Sequence, residues 1–446
     1  MTNKYFSRRG MLKGSAATGA LLATAGSLDL LAFAKAWAAD APFKPEPGAK
    51  LSLTRWKRFV QSEDDAFRSI CKSFAEATGC SIEIAEEGMD DVQPKASVAA
   101  NTGQGSDMFW GIYTVPQLFP EKALDVSDVC KYLGDKYGGW VDVAQSYGKA
   151  GGKGEKWIDV PVCMSGNYIN YRISSVKKAG FDKVPEDTDG FLELMKAMKA
   201  NGTPGGFALG HASGDGNAWV HWLLWAHGGS LTDQNDKVAI DSPETRNALK
   251  YCKALYETFT PGTISWNDSF NNKAFLAGDV HLTNNGISIY VAAKNGDEKT
   301  KAIAEDMDHA YYPIGPVGKP TEFQVCFPIM GMGYTKYPNA VKAFLTYWME
   351  ADQYNKWISD SQGYMTHTLN AFDANDVWTQ DPKRAVFRDA AKRTLTAGYP
   401  GSIGENAASA LADFIVIDMF ASYASGQQDM DGAIRQAERS ARRIYR

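Results

Sequence analysis

From Lys50 onward, short β-rich runs alternate with amphipathic stretches of helical period. Leu51 to Trp56 predicts a strand, and Asp64 to Ala77 predicts a helix, with Phe67, Cys71 and Phe74 on one face at i, i+4, i+7. Gly79 supplies a left-handed stop, and Cys80 to Ala85 resumes with alternating apolar positions. Strand, helix, strand within ~35 residues is a βαβ unit and implies a parallel pair. Ser106 to Trp110, after the glycine-rich loop Asn101 to Gly105, predicts a further buried strand. Trp157 to Tyr171 reads as two consecutive strands broken at Pro161, a place for the chain to cross between lobes.

The second half is richer in helix signals. Thr188-Asp189 opens a helix over Phe191 to Lys199, which stops at Gly202 to Gly206. An aromatic helix follows from Asn217 to His227, ended by Gly228-Gly229. Asp233 to Asp236 reads as a hairpin turn; its oxygens lack the loop glycine and closing Glu of an EF-hand. Ser242 to Thr245 starts a helix with Pro243 in its first turn, and further helices are predicted at Asn339 to Trp357, Ala407 to Tyr423 and Met430 to Tyr445.

The first residues stand apart from this pattern. A charged stretch to Arg9 leads into an apolar, small-residue run from Met11 to Ala34, closing on Ala36-Trp37-Ala38, the layout of a cleavable export signal over residues 1–38. Within it, Ser7 to Lys13 resembles the twin-arginine signal. The first cysteine is Cys71, so no lipid-anchoring cysteine follows the signal, and a free periplasmic protein is expected. No later window offers the ~18 uninterrupted apolar residues of a membrane span.

Removing Lys4, Arg8, Arg9, Lys13, Lys35 and Asp29 takes out a net +4 and moves the formal charge from -5 to -9. That acidic balance argues against nucleic acid or anionic lipid as partner. About 408 residues remain, above the ~250 to 300 that one core sustains, so two domains are expected. The six cysteines, Cys71, Cys80, Cys130, Cys163, Cys252 and Cys326, contain no CxxC pair, which leaves metal knuckles, haem attachment and thioredoxin-like chemistry unsupported. Export permits disulfides; folding before twin-arginine export equally permits buried thiols.

Several segments together carry a resemblance. Phe74 to Gly79, Asp107 to Trp110, Trp157 to Pro161 with Ile169 to Arg172, Ala226 to Gly229, Asp241 to Thr245, Phe275 to Gly286 and Ala424 to Gly426 occur in an order and spacing similar to the extracellular solute-binding proteins of family 1, the maltose-binding-protein-like substrate-binding proteins of ABC importers. The resemblance covers nearly the whole chain after the signal. It implies an α/β, two-lobed periplasmic binding protein fold (type II-like) with mixed sheets and crossing hinge segments. One lobe spans 43–162 plus 326–367 and the other 163–321 plus 368–446, with the ligand in the cleft between them and closure by a hinge motion. It further implies a monomer that delivers a sugar or polyol to the membrane subunits of an ABC importer, with no cofactor.

Sugars offer apolar C–H faces and hydroxyl edges, so their sites need flat aromatics together with amides or carboxylates. Trp110 ends a predicted strand, where open α/β sheets meet ligands, and matches the family's stacking tryptophan. By the same resemblance Gln61, Ser62 and Glu63 occupy the first ligand loop, although Glu63 equally suits a helix start. Tyr113 and Thr114 stand where the family has an acidic and basic pair, a departure from the maltodextrin pattern. Asn167, within the Trp157 to Tyr171 run, joins the set. Trp219, Trp222 and Trp225 form one helical stripe; Trp219, beside Asp215 and Asn217, is assigned to the cleft and the others to packing. Asn285, Ser288 and Tyr290 follow the Asn-Gly motif, with Ser288 where the family has an aromatic and Tyr290 as its substitute. Glu405 and Asn406 follow the turn Gly398 to Gly401. Tyr364 and His367 lie near the third crossing as either ligand contacts or, better suited, hinge residues, and Cys163 and Cys326 fall on crossing segments as either a tether or two free thiols.

Two other classes of function compete with this reading. An exported enzyme would carry a recognisable motif, yet GxGxxG, HExxH, GxSxG and haem signatures are missing from the sequence. A ferric-ion binder would use paired tyrosines such as Tyr311-Tyr312, which here read as a crossing strand; His221 and His227 lack partners at metal-ligand spacing. Another small polar solute, a polyamine or an amino acid derivative, stays open beside the sugar reading.

Overall fold

The computed structural model describes residues 28–446. The twin-arginine run, Ser7 to Lys13, lies outside the described residues. Leu28–Asp40 forms a helix whose Trp37 ring packs 5.1 Å from Tyr347 and 6.3 Å from Phe74, so the expected cleavage triplet Ala36 to Ala38 sits on a helix docked against the body of the protein.

Two sheets organise the fold. The larger has the order β2-β1-β3-β8-β4, built from β1 (Lys50–Trp56), β2 (Ser81–Glu87), β3 (Met108–Trp110), β4 (Val160–Ser165) and β8 (Val325–Gly331). β1 pairs parallel with β2 and β3, while β8 runs antiparallel to β3 and β4. The smaller sheet, β6-β5-β7, is antiparallel and comprises β5 (Tyr168–Arg172), β6 (Leu282–Asn285) and β7 (Met307–Ala310).

The expected βαβ unit is β1, the helix Gln61–Thr78 and β2. Phe67, Ile70, Cys71 and Phe74 form its buried face, and Gly79 ends the helix at φ 74, a conformation that costs glycine nothing. Behind the larger sheet lies an aromatic core in which Trp348 contacts Phe67 at 4.8 Å, Trp110 at 4.9 Å and Trp357 at 5.0 Å between ring centroids.

Three boundaries differ from the sequence reading. The break between the consecutive strands falls at Gly166-Asn167, not at Pro161; Pro161 is tolerated within β4 because that strand is a sheet edge and carries a register shift between Pro161 and Cys163. The stretch expected as one helix at Asn339 to Trp357 is two, Pro338–Trp348 and Ala351–Asp360. Ala407 to Tyr423 is likewise two, Glu405–Ala412 and Ile415–Ala424, which meet at Phe414 in the left-handed region (φ 52). Glu405–Ala424 is long and apolar enough, by length and composition, to cross a membrane, but it is this broken pair and 50% of it is buried in the fold.

All six cysteines are unbonded and buried. Cys163 and Cys326 lie diagonally across the β4–β8 ladder, where Met164 faces Cys326 and Cys163 faces Phe327.

Candidate functional site

Between the two sheets lies a cleft with two chambers. The deeper encloses about 400 Å³, open space at its mouth included, and is lined by Phe59, Met89, Ser165, Gly166, Asn167, Gly214, Asp215, Asp268, Asn285, Gly286, Ser288, Val325, Phe327 and Tyr364. The outer, about 810 Å³ on the same measure, lies among Trp56, Asp90, Trp110, Ile112, His211, Ser213 and Phe414. Met89 lines both, so the chambers meet at its side chain.

Asn167 sits at the crossover between β4 and β5, and Asp215 opens the helix Asp215–Ala226. Their meeting point is an amide network. Asn167 Nδ2 donates to Asp215 Oδ1 at 2.5 Å, and Asn271 Nδ2 donates to Asp215 Oδ2 at 2.7 Å. Asn284 Nδ2 donates to Asn167 Oδ1 at 3.1 Å and to the Asp215 carbonyl at 2.9 Å, while the Tyr312 hydroxyl donates to Asn167 Oδ1 at 2.6 Å. Asn285 Nδ2 reaches Asp215 Oδ2 at 3.4 Å, and Ser288 Oγ donates to Asn285 Oδ1 at 3.1 Å. Asp268 accepts the backbone N–H groups of Gly214, at 3.0 and 3.1 Å, and Asp215, at 2.6 Å, which fixes the start of that helix.

Burial, and then the neighbouring Asp268 charge, push the Asp215 carboxyl well above the ordinary range. Burial and the Asp90 charge raise Asp268 to about 6, against the pull of its backbone donors.

Short polar contacts cross the outer chamber. Ser213 Oγ donates to Asp90 Oδ1 at 2.7 Å, and the Tyr113 hydroxyl donates to the Gly214 carbonyl at 3.2 Å. His211 stacks on Phe414 with centroids 4.3 Å apart and planes 7° from parallel. Trp110 is fully buried, carries the Arg58 guanidinium 4.3 Å over its ring, and has no partner for its indole N–H.

Of the residues expected at the site, Asn167, Asp215, Asn285 and Ser288 come together in the deep chamber, and Trp110 lines the outer one. Tyr113, Thr114 and Asn217 line a recess beside Ser213 and Phe414; Tyr113 stacks on Phe323 at 4.5 Å. The first-loop trio is directed elsewhere because it begins the helix after β1. Gln61 bonds Asp65 on its own helix, Ser62 donates to the Asp360 carbonyl at 2.7 Å, and the buried Glu63 takes Arg58 at 2.6 Å and the Trp357 N–H at 2.8 Å. Trp219 is core: its N–H donates to the Ala208 carbonyl at 2.7 Å and its ring meets Phe207 edge-on. Tyr290 bonds Asp381 at 2.6 Å, outside both chambers, and Glu405 and Asn406 are exposed on the first turn of their helix.

Sequence reasoning missed Phe59, Met89, Asp268 and Phe327 in the deep chamber and His211, Ser213 and Phe414 in the outer. Two signals were available. Phe59 stands in the loop already singled out, two residues before Gln61, and Asp268 follows the Trp266-Asn267 turn that opens the Phe270–Ala277 helix.

Residues 69–386 match the model of the bacterial extracellular solute-binding protein family. The chain belongs to that family. A probable ABC transporter-binding protein of Deinococcus radiodurans is 22% identical over 202 residues, 44% of this chain and 47% of its own, so this solute-binding protein spans about half the length of that curated relative. Among solved structures, maltose-bound MalE3 of T. maritima superposes with a TM-score of 0.76 at 17% identity, over 89% of this chain and 100% of that one. The acarbose-binding GacH receptor of Streptomyces glaucescens gives 0.75 at 17%, over 90% and 99%. A mannitol-bound ABC transporter solute-binding protein from Agrobacterium vitis gives 0.73 at 15%, over 89% and 98%. These likenesses establish the two-lobed fold of the solute-binding protein.

Proposed function

We propose that the protein is the periplasmic solute-binding component of an ABC importer and captures a sugar or polyol in the cleft between its lobes. The deep amide network carries this reading. Asn167, Asn285, Ser288 and Asp215 converge beside the rings of Phe59, Phe327 and Tyr364, the pairing of polar edges and flat apolar faces that hydroxylated rings and chains require. The assignment of Trp110 to the same ligand rests on its place in the outer chamber. A cleft lined by fixed binding groups and no motif of a reacting centre suits a carrier that releases its solute unchanged, rather than an enzyme.

We assign residues 43–165 with 325–367 to one lobe and 167–321 with 368–446 to the other; the first division moves from 162/163 to the crossover at Gly166-Asn167 because β4 stays in the larger sheet to Ser165. Closure brings the chambers together, and the importer's membrane subunits receive the closed monomer. The twin-arginine run Ser7 to Lys13 supports export in the folded state.

A thermal-shift screen over neutral sugars, polyols, polyamines and ferric iron tests the reading, because a ligand bound only by the native state raises the melting temperature. A rise with a sugar or polyol at millimolar concentration is expected. A rise confined to ferric iron or to hydroxyl-free polyamines overturns it.

A further inference from the structure

The helix Met430–Ile444 is basic in an acidic chain. Beyond Arg393 the sequence has no lysine, and its basic residues are Arg435, Arg439, Arg442, Arg443 and Arg446. Ala433, Ile434, Ala437 and Ala441 bury one face of the helix in the fold. Arg435, Arg439, Arg442 and Arg443, at i, i+4, i+7 and i+8, form the exposed face opposite.

The ordinary uses of a surface arginine do not account for this face. A helix dipole favours cations in the closing turn, where Arg442 and Arg443 stand, but Arg435 and Arg439 lie before it. The carboxylates within reach are engaged by other residues: Glu438 takes Arg442 at 2.7 Å, and Asp431, one turn before Arg435, takes Arg246 at 3.0 Å. Arg435 and Arg439 have neither an ion pair nor a side-chain hydrogen bond among the described residues. The arrangement also opposes the helix itself. Arg439 stands four residues from Arg435 and Arg443 and three from Arg442, and like charges at these spacings destabilise a helix.

Guanidinium forks match the paired oxygens of phosphate and carboxylate. The groove beside the stripe, towards the helix Ile415–Ala424, is lined by Asp413 and Asp418, the latter bonded to His211. A carboxylate-bearing chain lying there meets charge of its own sign, whereas a flat phosphate surface touches the arginine crest alone. Acidic groups elsewhere on the protein are screened beyond about 8 Å at physiological ionic strength, so the local sign decides and the acidic balance of the whole chain conceals it. The exposed positions of this face are all polar, which suits a reversible electrostatic contact and not insertion.

We propose that this arginine face rests on the anionic phospholipid headgroups of the membrane that houses the importer, and holds the binding protein at the surface where its solute is delivered. The inference goes beyond the sugar or polyol reading and rests on it only for the importer's place in the membrane.

Cosedimentation of the signal-processed protein with phosphatidylcholine vesicles, alone or with about 30% phosphatidylglycerol, tests the inference without any solute. Binding to the anionic vesicles at about 0.1 M salt, absent from the neutral vesicles and lost near 1 M, is expected. Arg435→Gln combined with Arg439→Gln is expected to weaken that binding about tenfold or more, since each cation at such a surface is worth about fivefold. The melting temperature of this double variant is expected to be equal or higher, because like-charge pairs are removed. The comparison of neutral with anionic vesicles stands even where the variant fails to fold. Equal sedimentation with both kinds of vesicle, or of wild type and a folded double variant, overturns the inference. Failure to sediment with the anionic vesicles also overturns it, and binding to polyglutamate in that case would point to an acidic protein partner instead. None of these outcomes bears on the solute, which the thermal-shift screen decides.

Discussion

Asn167 donates its side-chain amide to Asp215 across 2.5 Å, and through that bond the crossover between the sheets is tied to the first residue of the helix Asp215–Ala226. The same Asn167 accepts from Tyr312 at 2.6 Å and from Asn284 at 3.1 Å. Asn167→Leu strands two buried groups, Asp215 Oδ1 and the Tyr312 hydroxyl, while Asn284 Nδ2 keeps its bond to the Asp215 carbonyl. Each such orphan costs about 1–3 kcal/mol, so urea unfolding is expected to report a loss of at least about 2 kcal/mol. Binding of the solute should fall tenfold or more on the same scale of about 1.4 kcal/mol per decade. An unchanged urea midpoint would remove Asn167 from the centre of the network.

Ser213 and Asp90 meet across the mouth of the cleft at 2.7 Å, and Asp90 is exposed. An exposed contact of this kind contributes little to the stability of either lobe but helps to hold the closed state. Ser213→Ala is expected to speed solute dissociation by about two- to tenfold, the equivalent of one ordinary hydrogen bond, and to leave the melting temperature of the unliganded protein nearly unchanged. Surface plasmon resonance measures the first and calorimetry the second. A slower or identical off-rate counts against the latch.

Much of this architecture was legible in the sequence, for reasons that differ by element. The β1–helix–β2 unit announced itself through period and a glycine stop, both local signals. Asn285 and Ser288 drew notice through the segment Phe275 to Gly286 and Asp215 through its place just before the predicted aromatic helix, whereas their meeting with Asn167 in one chamber shows only in the fold. The core position of Trp219 was not legible, since every residue of its helix is buried, so no stripe separates a cleft side from a core side. Phe59 and Phe327 read as ordinary core and Tyr364 as a hinge residue, and the three share a chamber only when distant segments converge. Phe414 was hidden by a helical period that runs on unbroken through the left-handed kink. Glu63 looked like a free helix-start acid because its partner, Arg58, shows no periodic relation to it.

Asp159 is fully buried, and neither of its carboxyl oxygens has a hydrogen-bond partner. Burial raises its pKa well above the usual carboxylate value. The folded protein therefore holds a proton that the unfolded chain releases near pH 4, so the stability linked to it is complete at low pH and is lost as pH rises through the folded pKa. Asp159→Asn mimics the protonated acid without this loss. The variant is expected to melt roughly 1–3 °C higher than wild type at pH 8 and to match it at pH 4, by scanning calorimetry at both values. A variant less stable than wild type at pH 8 contradicts the assignment.

Glu322 is buried beneath Arg393, whose Nε and Nη2 reach Glu322 Oε1 at 3.0 and 2.7 Å; Gln324 Nε2 donates to the other oxygen at 3.1 Å. Arg393 also lies 3.9 Å over the Tyr311 ring. Arg393→Met leaves a buried carboxylate without its cation, at a cost of about 3 kcal/mol. Glu322→Gln in the same background should recover part of that loss, so a double-mutant cycle by chemical denaturation is expected to return a coupling of at least about 1 kcal/mol. Additive losses would mean that the pair does not act as a unit.

The central claim, that the solute is held between the lobes, is tested most directly by hydrogen exchange. The processed protein is followed with and without whichever sugar or polyol raises its melting temperature. Protection is expected at amides near Phe59, Met89, Asn167, Asp215 and Ser288, segments far apart in the chain that share only the cleft. Protection confined to one lobe's outer helices, with these five segments exchanging as before, would contradict the account.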